Sequence, residues 1–396
     1  MIRAVPVDSR SQWAQFHHIS SMVYAGNPFA RNTEADLVDL LARPRSVFFA
    51  HARVESFLLC DGPHVVGRFS LIADRNMPDA VQIAFFEAIF GLSDVEACLR
   101  QTARASFPDA TRIIVGLCGH LNYAAGFLAS RFDEPPIFGL PYSPPYYLDY
   151  FAALKPRHMV SYRFHNESFY RLWRENRLKR RTTVRETSGI TVRPMDRRHM
   201  RREIALYTEL NNACFQEHPF WTDRRPEEDY ELFHPFRFLL KEENLLFAED
   251  EGRPVGFLLW YPDFNQLAVA GETFGPRHVV AYQAAHTVPR DHARTAAWIR
   301  PAQALAHRTL RCVAPIDTTR LTEIAVRESH RKAGVVEALI RAYTKIQYLR
   351  GFSWTEGGFI FEDNIASITM TRRLLETAFG QAPEPYRRFV VFEDQL

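Results

Sequence analysis

The sequence predicts an α/β protein built from two copies of one layered fold, each a mixed twisted sheet flanked by helices. Three observations predict it. The chain has 396 residues, whereas a typical domain runs about 100–200. Apolar segments of strand character alternate with segments of helical spacing, the pattern of an α/β layer architecture. The chain also repeats itself. "IRAVPVD" at Ile2 and "ITVRPMD" at Ile190 both read I-x-x-x-P-x-D, 188 positions apart. "DGPHVVGRFSLIADRN" and "EGRPVGFLLWYPDFN" share an acidic-Gly turn, a V-G pair, and an Asp and an Asn at fixed spacing beyond it. These residues are Gly67, Asp74 and Asn76 in one copy and Gly256, Asp263 and Asn265 in the other, 189 positions apart at the glycines. The copies are placed at 1–165 and 188–396, with 166–187 as a linker.

Each copy opens on a short strand, Ile2–Val7 or Ile190–Pro194, and continues into a helical stretch, "SQWAQFHHISSMVY" or "RREIALYTELNNACF". A hairpin follows; in the second copy "LLFAED" and "PVGFLLWY" flank the Gly-containing turn "EGR". An irregular insert rich in His and Ala occupies about 266–310. A strand is expected at 319–326 and a helix at 334–350, where Leu339, Ile340, Tyr343 and Ile346 recur at helical spacing and Gly351 stands at the stop. Strand "FSWTEGGFIF", helix "NIASITMTRRLLETAF" and strand "RRFVVFE" complete the chain.

Composition narrows the class. Hydrophobic residues make up 46% and charged residues 24%, the balance of a soluble globular protein. No apolar run approaches the roughly 20 residues that span a bilayer, and "MIRAVPVDSRSQWAQF" lacks the apolar core of a secretory signal. The five cysteines, Cys60, Cys98, Cys118, Cys214 and Cys312, show no C-x-x-C spacing. This argues against a disulfide framework or a metal site and for the reducing cytoplasm. A net charge of +3 does not by itself imply a nucleic-acid partner. The linker "YRLWRENRLKRRTTVRE" is locally basic; it reads as a solvated helix face or as a phosphate or tRNA contact, and the absence of an aromatic stacking set favours the former.

One loop carries the chemistry. After strand "LTEIAV" and before helix "VVEALIRAY" stands Arg331-Lys332-Ala333-Gly334. A helix start offers unpaired backbone N–H groups, a glycine lets the backbone approach a ligand closely, and flanking cations complement phosphate charge. This segment resembles the R/Q-x-x-G-x-G/A motif of the GCN5-related N-acetyltransferases (GNAT), where it holds the pyrophosphate of acetyl-CoA; here Val336 replaces the last small residue. "NIASITMT" is similar to the family's N-x-x-A-x-x-L-Y, with Asn364 retained and Thr371 where the family has a proton-donating Tyr. "PYSPPYYLDYFAAL", "GRPVGFLLWYPDFNQ" and the C-terminal "EDN" resemble a bacterial group carrying two GNAT-like domains in tandem.

The resemblance implies an acyl-CoA co-substrate, acetyl-CoA or another, no metal, and direct attack on the thioester by an amine of a small molecule, amino acid or peptide. It implies a cofactor set of Ile324, Ala325, Val326, Arg331, Lys332, Ala333, Gly334, Val335 and Asn364, with a strand amide polarising the thioester carbonyl. The base candidates are Glu323, eight residues before Arg331, and second Glu356. Asp263, Asn265 and Tyr146 are the acceptor-side candidates; the aromatics of "PIFGLPYSPPYY" line a pocket or fill a stiff turn. The first copy reads "LSDVEACLRQ" at the matching place, without R-x-x-G and with Asp94 and Glu96 at the helix start, which repels phosphate. Two other readings stand beside the acyltransferase: a non-catalytic acyl-CoA-binding scaffold, and a FemABX-like transferase using aminoacyl-tRNA.

Overall fold

A computed structural model describes residues 2–31, 35–174, 189–270, 272, 275–285 and 316–396. The basic segment 175–187 and most of the insert, 286–310, lie outside the described residues. In chain order the elements are β1 (Ile2–Pro6), α1 (Arg10–Val23), α2 (Ala35–Leu41), β2 (Ala52–Asp61), β3 (His64–Asp74), β4 (Ala80–Ala88), α3 (Val95–Ser106), β5 (Arg112–Val115), β6 (Phe127–Leu128), α4 (Tyr147–Tyr150), β7 (Lys155–Ser161), β8 (Arg163–His165) and α5 (Asn166–Arg174). They continue with β9 (Ile190–Pro194), α6 (Met200–Phe215), α7 (Pro226–Phe233), β10 (Leu245–Asp250), β11 (Arg253–Pro262), α8 (Pro276–Ala285), β12 (Thr318–Val326), α9 (Val335–Arg350), β13 (Trp354–Gly357), β14 (Ile360–Phe361), α10 (Ile365–Phe379) and β15 (Arg387–Gln395). Among the described residues no helix is long and apolar enough to cross a membrane.

Two mixed sheets, one per repeat, carry the helices. The repeat is physical as well as textual. β1 pairs antiparallel with β2 and β9 with β10. The β2–β3 register slips between Leu59 and Cys60, and the β10–β11 register slips between Ala248 and Glu249. Gly67 and Gly256 follow these bulges. A Cβ on Gly67 would lie 2.7 Å from Glu87 O, and one on Gly256 2.7 Å from Ala325 O. Both positions therefore need glycine so that the next strand can approach. Past the hairpins, Asp74 Oδ1 accepts from Asn76 N at 2.8 Å and Asp263 Oδ1 from Asn265 N at 3.3 Å. The shared Asp and Asn are thus the same turn made twice.

Local signals end the elements as the sequence leads one to expect. Ser9 caps α1 in a capping box with Gln12. α9 runs from a left-handed Gly334 to a left-handed Gly351.

The sheets do not coincide with two halves of the chain, which corrects the boundaries drawn near 165 and at 188–396. β15 inserts between β5 and β7 of the first sheet, and β14 extends it beyond β7; β8 adds to the edge of the second sheet beside β13. The cores follow the same exchange. Phe361, Phe389 and Val391 pack with Ile114, Leu117 and Met159, while Val160, Tyr162 and Phe169 join the core under α9.

Candidate active site

β12 and β13 run parallel and paired only from Thr318–Leu321 with Trp354–Gly357. Gly358 N donates to Leu321 O at 2.6 Å, and there the strands part. β12 continues along β11 to Val326, whereas β14 crosses to pair with β7 in the other sheet. A Cβ on Gly358 would lie 2.6 Å from Thr322 O, so only glycine permits this approach at the fork. The divergence opens a cavity of about 570 Å³. Its walls include Thr322–Ile324 and Gly357–Ile360 at the fork, Val336 and Ile340 of α9, and Met370 and Thr371 of α10. Tyr207, Phe215 and Phe233 close a third side, and Leu121–Ala125 and Phe138 of the first repeat a fourth.

Glu323 is the acidic group at the fork. Its Oε2 accepts from Tyr207 Oη at 2.8 Å and from Asn211 Nδ2 at 2.9 Å. Protein surrounds the carboxyl, and its remaining surface faces the cavity. Burial outweighs the two hydrogen bonds and pushes its pKa up to about 7. Tyr261, also at the wall, is pushed up chiefly by burial and then by the Glu323 charge. Arg320 of β12 reaches the same wall and donates to Phe138 O at 3.4 Å. Farther along β12, Arg327 N donates to Val255 O. By the two-residue alternation of an antiparallel ladder, the amides of Ile324 and Val326 face the open edge. Ile324 lines the cavity, so its N–H is a donor aimed at a group lying in the fork.

Gly334 adopts φ 75°, ψ 13° at the start of α9. The amides of His330, Arg331 and Ala333 are used inside the preceding turns. The orphan donors are those of the first helical turn from Val335 onward, and Val336 in that turn borders the cavity. Arg331 and Lys332 are exposed beside it. This end of α9 thus offers amides, a helix dipole and two cations contiguous with the cavity.

The other expected residues divide between the cavity and the surrounding structure. Asn364 lines the cavity and caps α10, its Oδ1 accepting from Ser367 N at 3.1 Å. Ala325 and Val326 are buried along β11. Glu356 is not at the cavity wall: it accepts from Ser161 Oγ at 2.9 Å and pairs with Arg387 at 3.4 Å, joining β13 to β7 and β15 of the first sheet. Asp263 accepts from Phe138 N at 2.8 Å, and Asn265 donates to Pro136 O at 2.9 Å. Both hold the strip that presents Phe138 to the cavity, and burial pushes Asp263 up to about 7.

Tyr146 belongs to a different fork. In the first repeat β4 and β5 also run parallel over Ala80–Ile83 and Arg112–Val115. Beyond them Tyr146 Oη donates to Ala88 O at 2.9 Å, Tyr147 Oη accepts from Ala88 N at 2.9 Å, and Tyr150 Oη accepts from Leu92 N at 3.2 Å. Phe86, Tyr147 and Phe151 pack ring to ring there. "PPYYLDYF" therefore packs into the first repeat's fork and engages the backbone of Ala88, Ile89 and Leu92 there. α3 begins on a left-handed Asp94 where α9 begins on Gly334.

Sequence reasoning passed over Gly357, Gly358, Tyr207, Asn211, Arg320 and Tyr261. The "GG" inside a strand pattern was the available signal, since paired glycines there mark a break or a close backbone approach.

No family model matches the chain. A curated relative, a bacterial ceramide synthase from Caulobacter vibrioides (strain NA1000 / CB15N), is 21% identical over 277 residues, covering 67% of this chain and 71% of that protein. Among solved structures, the GCN5-related glucosamine N-acetyltransferase region of a fungal multi-domain β-N-acetylglucosaminidase superposes over 100% of this chain and 38% of its own, at 9% identity and a TM-score of 0.53. The fold is that of the GCN5-related N-acetyltransferases. A conserved protein of unknown function from Enterococcus faecalis V583, described as a probable N-acyltransferase, matches 100% of this chain and 73% of its own at 8% identity and a TM-score of 0.50. In GNAT terms the parting of β12 and β13 is the fork between the fourth and fifth strands of the second repeat.

Proposed function

We propose that this protein is a GNAT-type N-acyltransferase that moves an acyl group from CoA to an amine, with a long hydrocarbon chain on at least one substrate. The observation that carries this reading is the fork cavity, which brings the Glu323 carboxylate and the open Ile324 amide to one space. The pyrophosphate lies at the start of α9 and the thioester reaches the fork along Val336 and Asn364. The Ile324 N–H donates to the carbonyl oxygen as charge develops on it. The amine nitrogen attacks the carbonyl carbon, Glu323 takes a proton from it, the C–N bond forms and the C–S bond breaks. The proton held by Glu323 passes to the departing sulfur, so amide and free thiol leave and the carboxylate is restored.

The long-chain element has two supports. The cavity walls are largely apolar, with Phe138, Phe215, Phe233, Leu240 and Leu374 among them. The curated relative is named for ceramide, which is an N-acylated long-chain amino alcohol. The filled fork of the first repeat supports a single CoA site per chain. A scaffold that binds acyl-CoA without turnover is the second reading, favoured by Thr371 at the place of the family's Tyr.

The test is thiol release from acetyl-CoA and palmitoyl-CoA with a short amine and with a long-chain amino alcohol. Turnover is expected with a long-chain partner in the pair. Best turnover with acetyl-CoA and the short amine would remove the long-chain element, and tight binding without turnover would leave the scaffold. The cradle has its own test. Asparagine tolerates a left-handed backbone, so Gly334→Asn keeps the turn and places a side chain before the amides. It is expected to weaken CoA binding more than Arg331→Ala, whose loss stays within about fivefold, the range of exposed ion pairs. Equal affinities for parent and Gly334→Asn in calorimetry would remove the cradle.

A further inference from the structure

We propose that Asn122, carried on a loop of the first repeat, is a positioning residue for the second repeat's active site: its amide holds the Tyr207 hydroxyl in the orientation that donates to Glu323. Asn122 Nδ2 donates to Tyr207 Oη at 3.3 Å, and Tyr207 Oη donates to Glu323 Oε2 at 2.8 Å. A phenol has one hydrogen. When an amide N–H occupies a lone pair of the oxygen, that hydrogen must point elsewhere, and Glu323 is the acceptor in reach. The Tyr207 ring cannot turn to spoil this. It is 1% exposed and packed edge-on between Phe233 and Phe257, with centroids 5.3 and 4.9 Å away.

The loop is built to hold Asn122 still. Leu117 bridges Ala125. Gln82 engages both backbone groups of Gly119, its Nε2 donating to Gly119 O at 3.2 Å and its Oε1 accepting from Gly119 N at 2.7 Å. His120 Nδ1 accepts from Asn122 N at 3.1 Å, so its hydrogen sits on Nε2, which donates to Thr222 O at 3.0 Å. Burial holds His120 well below the usual imidazole range, in the neutral form this pattern requires. The first repeat, with its own fork filled, thus reaches the hydrogen-bond chain to Glu323 through the Asn122 amide.

The consequence is electrostatic. Besides Tyr207 and Asn211 of α6, the charged and titratable groups acting on Glu323 are Asp229 of α7, Tyr261 of β11 and Arg320 of its own strand. Asp229 is tied to Arg224 Nε at 2.7 Å. The Tyr207 bond is one of two direct donations that favour the carboxylate against burial. Weakening it raises the pH at which Glu323 ionises.

The catalytic half of this inference rests on Glu323 as base; the structural half does not, and the experiment separates them. Unfolding free energy by urea is measured from pH 4 to 9 for the parent, Asn122→Ala and Tyr207→Phe, each with and without Glu323→Gln. The Glu323-dependent part levels off where Glu323 ionises in the folded protein. That pH is expected to rise by on the order of 0.5 in Asn122→Ala and by more in Tyr207→Phe. In parallel, kcat with palmitoyl-CoA and a long-chain amino alcohol is expected to fall about twofold at pH 7 in Asn122→Ala and further in Tyr207→Phe, and to return near the parent value at pH 9, with KM unchanged. A uniform loss of stability or activity at every pH, with the midpoint unmoved, overturns the proposal. A moved midpoint in a protein with no turnover keeps Asn122's role and removes the acyltransferase reading instead.

Discussion

Glu323→Gln is expected to lower kcat for acyl transfer by about 10²–10⁴, the usual contribution of a positioned general base, while leaving CoA affinity intact. Gln keeps the shape of the side chain and removes the carboxylate proposed to take the amine proton. Residues of the cradle at the start of α9 are untouched, so the loss falls on turnover. In the parent, kcat is expected to rise with pH up to about 7 and then level, because burial holds the Glu323 pKa near that value. A variant with parent-like kcat moves the base elsewhere.

The same substitution has a stability signature of known sign. The folded pKa of Glu323 is raised from 4.5 to about 7, so the folded chain holds this proton more tightly than the unfolded one. Stability therefore falls as pH climbs through that window and is flat above it. Glu323→Gln removes the penalty. The variant is expected to match the parent near pH 4 and to exceed it by at most about 3 kcal/mol at pH 8, since each tenfold change in proton affinity corresponds to about 1.4 kcal/mol. Urea unfolding at the two pH values measures this, and parallel curves would mean that Glu323 ionises with an ordinary pKa.

Gly358→Ala is expected to cost about 2–3 kcal/mol of stability, in the range of forced overpacking, whereas Gly357→Ala stays within about 1 kcal/mol. The two glycines are adjacent, but their surroundings differ. A Cβ at Gly358 meets Thr322 O at 2.6 Å and Leu321 O at 3.3 Å, both backbone atoms, while one at Gly357 meets only Tyr162 O at 3.7 Å. Relief at Gly358 requires β13 to move from β12, which strains the Gly358 N to Leu321 O bond and shifts the cavity wall with it. Equal costs in denaturant titration would mean that the fork tolerates a side chain and that its glycine pair is incidental.

Much of this arrangement can be read from the residues because its causes are local. The two hairpins share bulges and a crowded glycine, so the spacing at Gly67 and Gly256 survives in the sequence. The start and stop of α9 are written as Gly334 and Gly351. The phase of β12 relative to Arg331 brings out Glu323. What was hidden depends on distant partners. Glu356 sits on a strand next to the fork, yet only the arrival of Arg387 on β15 decides that its carboxyl belongs to a buried ion pair. Asp263 and Asn265 recur in both repeats as turns, and only the neighbouring strip at Pro136–Phe138 gives them their bracketing role. The tyrosines of "PPYYLDYF" carry no mark of which fork they occupy. A strand's alternation sets which face is buried but says nothing of which sheet it joins, so "RRFVVFE" reads as the last strand of its own repeat and is found in the other.

The exchange of β15 also governs how the chain can be made. β5 and β7 are synthesised before the second repeat, yet the strand that joins them follows only after it. Until it arrives, the first sheet carries a gap with unsatisfied backbone groups on both sides, the kind of edge that recruits foreign strands. Long-range closure of this sort is slow. The early half must wait, shielded or partly ordered, for the late half to finish it. Separately expressed halves would each lack a strand that the other holds.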